Sequence, residues 1–309
     1  MHVFTKALTA MVLAGAVCTA SAAESFIIVD NQTGYILGSE KPNEKLPVAS
    51  LTKVATAMVV LDWARVSEGN LGSLATVSPT AVERAGGVNP VGLQPGDQAS
   101  LRDLIYCALL ASDNVAAMAL AEYVGTRLPN PEQLDPAGNF VSHMNALARS
   151  LFMKRTLFLN PTGFDAYEEG AIPHSTAADM ARLVRYAYDA GGFAFYVSQA
   201  SREVRILRGG IDNTVTIRNT NELLGRDGID GVKTGRTRRA GDCLILSADR
   251  TPEVRKEGET RFVTPRRITV VLLRSPDRFG EGAALMQRGW QLYDAWAAEG
   301  RPVSRSKAL

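Results

Sequence analysis

The chain has 309 residues, with 34 lysines and arginines against 32 aspartates and glutamates and a formal charge of +2. That balance argues for neither nucleic acid nor an acidic partner. With 46% hydrophobic residues the chain can bury a sizeable core, and its three histidines and three cysteines show no metal-ligand spacing, so neither metal nor cofactor is expected.

At the N-terminus His2 and Lys6 precede an apolar run from Ala7 to Val17, and Ala20-Ser21-Ala22 has the small-x-small form of a cleavage site. Residues 1–22 therefore read as an export signal, since the run is too short to span a bilayer. Gly15-Ala16-Val17 before Cys18 lacks the pattern of a lipid-modified cysteine. The mature chain, starting near Ala23, is expected to be periplasmic or secreted with no membrane span. Cys107 and Cys243 each lie in an apolar run, so two buried free thiols are expected although that compartment permits a disulfide.

Phe26 to Val29 and Tyr35 to Leu37, joined by a turn through Gly34, read as a hairpin. From about Trp63 to Asp189 the pattern is mainly helical, with alanine-rich segments at 101–110, 115–124, 140–151 and 176–188, the last opened by Thr176 with Asp179 as a capping pair. A loop rich in glycine and proline, Gly86 to Gly96, interrupts this run. After Gly192 come short strand-like runs at 202–207, 214–218, 231–234, 243–248 and 268–273, read as one antiparallel sheet with the opening hairpin. A last helix, 282–296, presents Met286, Trp290 and Tyr293 at helical spacing to that sheet. The expected fold is α/β: an antiparallel sheet flanked by helices with a helical lobe (about 63–190) inserted, one catalytic domain over 23–298, and a polar tail over 299–309.

Chemistry centres on Ser50-Leu51-Thr52-Lys53. A serine hydroxyl needs a base within hydrogen-bond reach, and residues i and i+3 of a helix share a face, so Lys53 can meet Ser50. The following Val54 to Leu61 is apolar on nearly every face, which predicts a buried helix; burial lowers a lysine's pKa and leaves the neutral amine a base requires. The same spacing recurs at Ser304-Arg305-Ser306-Lys307, but in a polar tail with no such context. Ser112-Asp113-Asn114 lies between two helical segments: Ser112 could relay a proton and Asn114 hold a substrate amide, though helix capping is the alternative. Lys233-Thr234-Gly235 ends a strand, offering a cation and a hydroxyl to a carboxylate while the glycine leaves room for a second backbone; an exposed edge strand is the alternative. Arg236, Arg238 and Arg239 form one local basic cluster.

In this order the three motifs resemble the S-x-x-K, S-D-N and K-T-G signature of the serine penicillin-recognising enzymes. More narrowly the chain resembles the low-molecular-mass D-alanyl-D-alanine carboxypeptidases (family S11, with a β-lactamase/transpeptidase-like fold), through Pro47 to Lys53, Leu93 to Asp97, Asn160 to Phe164, His174 to Ala177 and Lys233 to Thr237. The resemblance spans roughly Ser25 to Trp296. It implies that Ser50 attacks the bond between two D-alanines of a peptidoglycan stem peptide, with Lys53 as base and Ser112 passing the proton to the leaving nitrogen. Lys233 and Thr234 would receive the terminal carboxylate, with Gly235 leaving room for the substrate, Asn114 the peptide, and the backbone N–H groups of Ser50 and Arg236 the oxyanion. β-Lactam antibiotics would acylate Ser50.

Two departures matter. The family commonly carries histidine where this chain has Arg236, and many members continue into a second β-domain and a membrane-anchoring helix. Rival functions share the motifs: a D,D-endopeptidase cutting crosslinks, a penicillin-binding sensor that stays acylated, and a class A β-lactamase. The last needs a deacylating glutamate with a nearby asparagine, and Glu132-Gln133-Leu134-Asp135-Pro136 offers proline where the asparagine should stand.

Overall fold

A computed structural model describes residues 22–165, 171–190 and 192–309. The expected export signal, save for Ala22, lies outside them. In chain order the strands are β1 Ser25–Asp30, β2 Ile36–Glu40, β3 Leu74–Thr76, β4 Gln98–Ser100, β5 Ser201–Arg208, β6 Ile211–Arg218, β7 Ile229–Thr237, β8 Gly241–Glu257 and β9 Thr260–Ser275. The helices are α1 Lys53–Val66, α2 Pro79–Ala85, α3 Leu101–Leu109, α4 Asn114–Gly125, α5 Pro136–Ser150, α6 Ala177–Asp189, α7 Phe193–Val197 and α8 Arg278–Ala298, with a 3-10 turn over Ala49–Thr52 leading into α1.

The main sheet runs β2-β1-β9-β8-β7, all neighbours antiparallel, so the opening hairpin and the closing strands share one sheet. Side chains alternate between its faces. Ile27, Val29, Ile245, Val271 and Leu273 join the core built with the helices, while Ile28, Leu244, Leu246, Val270 and Leu272 pack with Met286, Trp290, Tyr293 and Trp296 of α8. Capping follows the local sequence. Ser78, Ser100, Asp113, Asp135, Thr176 and Asp277 each accept a backbone N–H of the helix they open, which satisfies donors that the first turn leaves free.

Two expectations need correction. β5 and β6 do not enter the main sheet; with β3 and β4 they form a second sheet, β3-β4-β5-β6, joined through Gln98↔Leu207 and an Arg208–Asp97 ion pair at 2.6 Å. Strand patterns are local, whereas the choice of partner is made across the chain, and β5 offers only Val204 and Ile206 as buried anchors. Likewise β8 and β9 run far beyond the predicted 243–248 and 268–273, as a two-stranded arm turning at Gly258. Its side chains are exposed on both faces, so no apolar alternation announces it.

The thiols of Cys107 and Cys243 are free and buried, as expected, and burial pushes both above the ordinary thiol pKa, Cys243 to about 11. The tail folds back: Trp296 Nε1 donates to Pro302 O at 3.0 Å and Leu309 N to Gly34 O at 3.0 Å. Ser304 and Lys307 lie there on an exposed 3-10 turn, away from any core. No described helix is long and apolar enough to cross a membrane.

Candidate active site

Ser50 stands on the 3-10 turn at the mouth of α1, directly after Ala49, whose φ of +49° lies in the left-handed region and turns the chain sharply. α1 is buried along its first eight residues, so Lys53 is fully enclosed, at 0% exposure. Its Nζ has three polar neighbours: Ser50 Oγ at 2.9 Å, Asn114 Oδ1 at 2.6 Å and Thr162 O at 2.9 Å. The orientation of the Asn114 amide follows from its other end, because Nδ2 donates to Gly86 O at 2.6 Å and Ala85 O at 3.3 Å. Two of the lysine's neighbours can therefore only accept. A neutral amine has two N–H donors and one lone pair, so the donors go to Asn114 and Thr162 and the lone pair is left for the Ser50 hydroxyl proton. Burial supplies the neutral form: it lowers the Lys53 pKa to about 7, against a smaller opposing pull from Asp113.

Asn160 to Phe164 supplies the third side of this cage, a role that no pattern in the sequence announced. Asn160 Oδ1 accepts from Thr162 N, Thr162 Oγ1 and Gly163 N at 3.1, 3.0 and 2.7 Å, bending the loop so that Thr162 O faces Lys53. One carbonyl earlier, Pro161 O accepts from Thr56 Oγ1 at 2.7 Å, fastening the loop to α1. Gly163, at φ +74°, passes so close that a Cβ there would lie 1.9 Å from Ala49 O. Asp165 then clasps the end of β7, accepting from Thr237 Oγ1 at 2.9 Å and Arg239 N at 3.0 Å.

β7 is the free edge of the main sheet and lies beside the Ser50 turn, where a Cβ on Gly235 would meet the Ser50 nitrogen at 3.2 Å and Val48 O at 3.1 Å. A side chain there would press on the Ser50 turn and require the two to part by a few tenths of an ångström. Lys233 is not the solvated charge of an exposed edge: it is 1% exposed, and its Nζ donates to Thr234 O at 3.0 Å. Among the described residues no carboxylate pairs with it. Burial first, then the nearby Lys53 and Arg278 charges, hold it well below the ordinary lysine pKa. Thr234 Oγ1 shares a 2.7 Å hydrogen bond with Thr220, whose own N–H donates to Leu110 O at the end of α3. Arg278, another residue the sequence patterns did not single out, donates to Gly235 O and Asp242 Oδ1, each at 3.1 Å.

Of the second motif, Asp113 caps α4 and also accepts from Val91 N, while Asn114 enters the lysine cage. Ser112 sits between them and α3 at φ +61°, half-buried, and among the described residues no hydrogen bond engages its hydroxyl. A cavity of about 180 Å³ is lined by Ser50 and Asn114 together with Val88, Phe164, Asp165, Arg236 and Arg238.

A serine hydroxyl hydrogen-bonded to a caged, buried lysine, with a second buried lysine on an edge strand beside it, is the arrangement a serine acyl-transfer site requires. The family model for D-alanyl-D-alanine carboxypeptidase, S11, matches residues 5–255. The chain belongs to the S11 peptidase family. Among curated S11 relatives, DacB2 of Mycobacterium tuberculosis, a D-alanyl-D-alanine carboxypeptidase, is 30% identical over 273 residues, covering 87% of this chain and 83% of its own. DacF of Bacillus subtilis, also a D-alanyl-D-alanine carboxypeptidase, is 30% identical over 73% of this chain, and a D-alanyl-D-alanine endopeptidase of Pseudomonas aeruginosa is 33% identical over 73%. The chain spans 54% and 66% of the length of these last two. Among solved structures, the Streptomyces K15 DD-transpeptidase superposes with a TM-score of 0.74 at 25% identity, covering 88% of this chain and 98% of its own. An ampicillin-bound penicillin-binding protein D2 of Listeria monocytogenes gives 0.69 at 25% identity, covering 87% and 97%. The transpeptidase-like α/β fold of this S11 chain is thereby established.

Proposed function

We propose that this protein is a serine D,D-peptidase that removes the terminal D-alanine from peptidoglycan stem peptides through an acyl-enzyme on Ser50, and that β-lactams acylate the same hydroxyl. The observation that carries this is the Lys53 cage, which leaves one lone pair and aims it at Ser50 Oγ, 2.9 Å away. Ser50 Oγ adds to the carbonyl of the penultimate D-alanine while its proton passes to Lys53 Nζ. The C–N bond then breaks as Ser112 relays the proton from Lys53 Nζ to the leaving nitrogen, which restores the neutral lysine, and water releases the shortened peptide. Backbone N–H groups of Ser50 and Arg236 hold the oxyanion, Asn114 the peptide, and Lys233, Thr234 and Gly235 the terminal carboxylate, the counter-charge that buried Lys233 otherwise lacks.

The reading places the catalytic unit at 23–298, exported to the periplasm or beyond by residues 1–22. Cleavage of crosslinks is the second reading, favoured by the P. aeruginosa relative that bears the endopeptidase name. Glu132 gives the β-lactamase reading no support, being exposed in the turn before α5 and absent from the walls of the Ser50 cavity. Purified protein should convert a pentapeptide muropeptide to the tetrapeptide, with loss of one D-alanine by mass. It should also gain the mass of one penicillin on the proteolytic fragment holding Ser50. Dimer cleavage without pentapeptide trimming would move the assignment to endopeptidase, and penicillin turnover without peptide products would overturn both.

The carboxylate assignment has its own test. Replacing Lys233 by alanine should reduce kcat/KM on a D-alanyl-D-alanine peptide by roughly 10- to 150-fold, the value of one hydrogen bond to a charged group. The same change should cost much less on a peptide with an amidated C-terminus. Equal losses on both substrates would show that Lys233 does not read the carboxylate.

A further inference from the structure

The arm formed by the far ends of β8 and β9 has no part in the chemistry proposed above. Every residue from Thr251 to Val263 is exposed, and among the described residues no strand follows β8 beyond Asp249 or β9 beyond Arg267 on their outer sides. An isolated two-stranded ribbon is only marginally stable in water, and an open edge offers its N–H and C=O groups to another strand. Two such edges are available, and they are not equivalent.

Register fixes which groups each edge offers. Arg267 O accepts from Asn31 N at 2.9 Å, and backbone groups alternate sides along a strand, so Val263 and Arg261 turn theirs to the same open side of β9. The turn agrees: Glu257 pairs with Thr260 across Gly258 and Glu259, which directs the backbone groups of Thr260 and Phe262 inward to β8. Pro265, between Val263 and Arg267 in the outward series, has no N–H, so the usable edge ends there and at the turn. What remains is Thr260 to Thr264, with Phe262 at its middle. Laid antiparallel against its own copy about a two-fold axis at Phe262, this edge puts each Arg261 opposite a Val263 as hydrogen-bonded pairs, and the two Phe262 rings opposite each other at the closer, non-bonded spacing. No like charges face each other, and Phe262 and Val263 are among the large apolar side chains that the fold leaves exposed. The open edge of β8 fails the same test. Its run from Glu253 to Glu257, bounded by Pro252, centres on Arg255, so self-pairing would set Arg255 against Arg255 and Glu253 against Glu257.

We propose that two copies of this chain associate through the Thr260 to Thr264 edges, Phe262 on Phe262, joining their arms into one continuous sheet. So small an interface predicts a reversible dimer, and sedimentation equilibrium should show the mass rising from one chain toward two as concentration increases. Val263→Pro removes an outward N–H and no bond within the arm, so it should weaken the dimer at least ~10-fold. Val254→Pro, which removes the equivalent N–H from the β8 edge, should leave it unchanged. Phe262→Cys should give a disulfide-linked dimer under mild oxidation, since a non-bonded pair holds its Cα atoms about 4.5 Å apart, whereas Arg255→Cys should not. Thermal melting by circular dichroism shows that each variant folds. A protein monomeric at every concentration, an association indifferent to Val263→Pro or equally weakened by Val254→Pro, or equal crosslinking from the two cysteine variants would overturn the assignment.

Discussion

Replacing Lys53 by arginine should slow acylation of Ser50 by penicillin at least ~10³-fold while the protein still folds, because arginine keeps its proton at any accessible pH and cannot take another. The three neighbours of Nζ make the effect this large. Asn114 Oδ1 and Thr162 O can only accept, so a permanently protonated side chain would satisfy both and still offer Ser50 a donor where an acceptor is required. The pH dependence follows from the same cage. Lys53, lowered to about 7 by burial, is protonated and inactive below that value and neutral above it. The wild-type acylation rate should therefore rise with pH, climbing tenfold per unit well below 7 and levelling above, and the residual rate of Lys53→Arg should lack that limb. Stopped-flow acylation across pH checks both, with circular dichroism to show that the variant folds. A near wild-type rate for the arginine variant would remove lysine as the base.

Gly163→Ala should be nearly as damaging, although Gly163 belongs to none of the three motifs. The new Cβ would fall 1.9 Å from Ala49 O and 2.7 Å from Thr52 Oγ1, and the first of these is backbone, which cannot rotate away. A φ of +74° adds its own cost for a residue with a side chain. Together they should cost about 3 kcal/mol of stability or more by urea unfolding. The displaced atoms belong to Ala49, the residue before Ser50, so acylation should also fall ~10²-fold or more, as a shift of about 1 Å suffices for such a loss. Gly210→Ala supplies the contrast. It has φ +81° but nothing within 4 Å of the added Cβ, so only the backbone cost of about 1 kcal/mol should appear, with acylation unchanged. Similar effects at the two glycines would show that the packing of the 160–164 loop on the Ser50 turn is unimportant.

The sequence by itself determined what short-range physics controls. Ser50 and Lys53 are three residues apart, and the apolar run behind them forces the lysine inside while the serine stays half-buried at the mouth, so a buried lysine beside a serine is readable from spacing alone. The capping of α6 by Thr176 and the burial of Met286, Trp290 and Tyr293 on α8 follow equally from spacing along one element. Lys233-Thr234-Gly235 is visible as a motif, but its burial is not: taken alone the local sequence favours an exposed edge strand, whereas in the fold the Ser50 turn packs against Gly235 and Lys233 is enclosed. Tertiary structure alone decided the partners. It brought Thr162 O, 109 residues along the chain, to Lys53 Nζ, turned the Asn114 amide toward the lysine, and set Arg278 against the Gly235 carbonyl. It also put β5 and β6 in a second sheet and extended β8 and β9 into an arm. Each of these depends on contacts between segments whose local sequences carry no mark of one another, because backbone carbonyls are chemically the same at every position and a strand's pattern names its buried face without naming its neighbour.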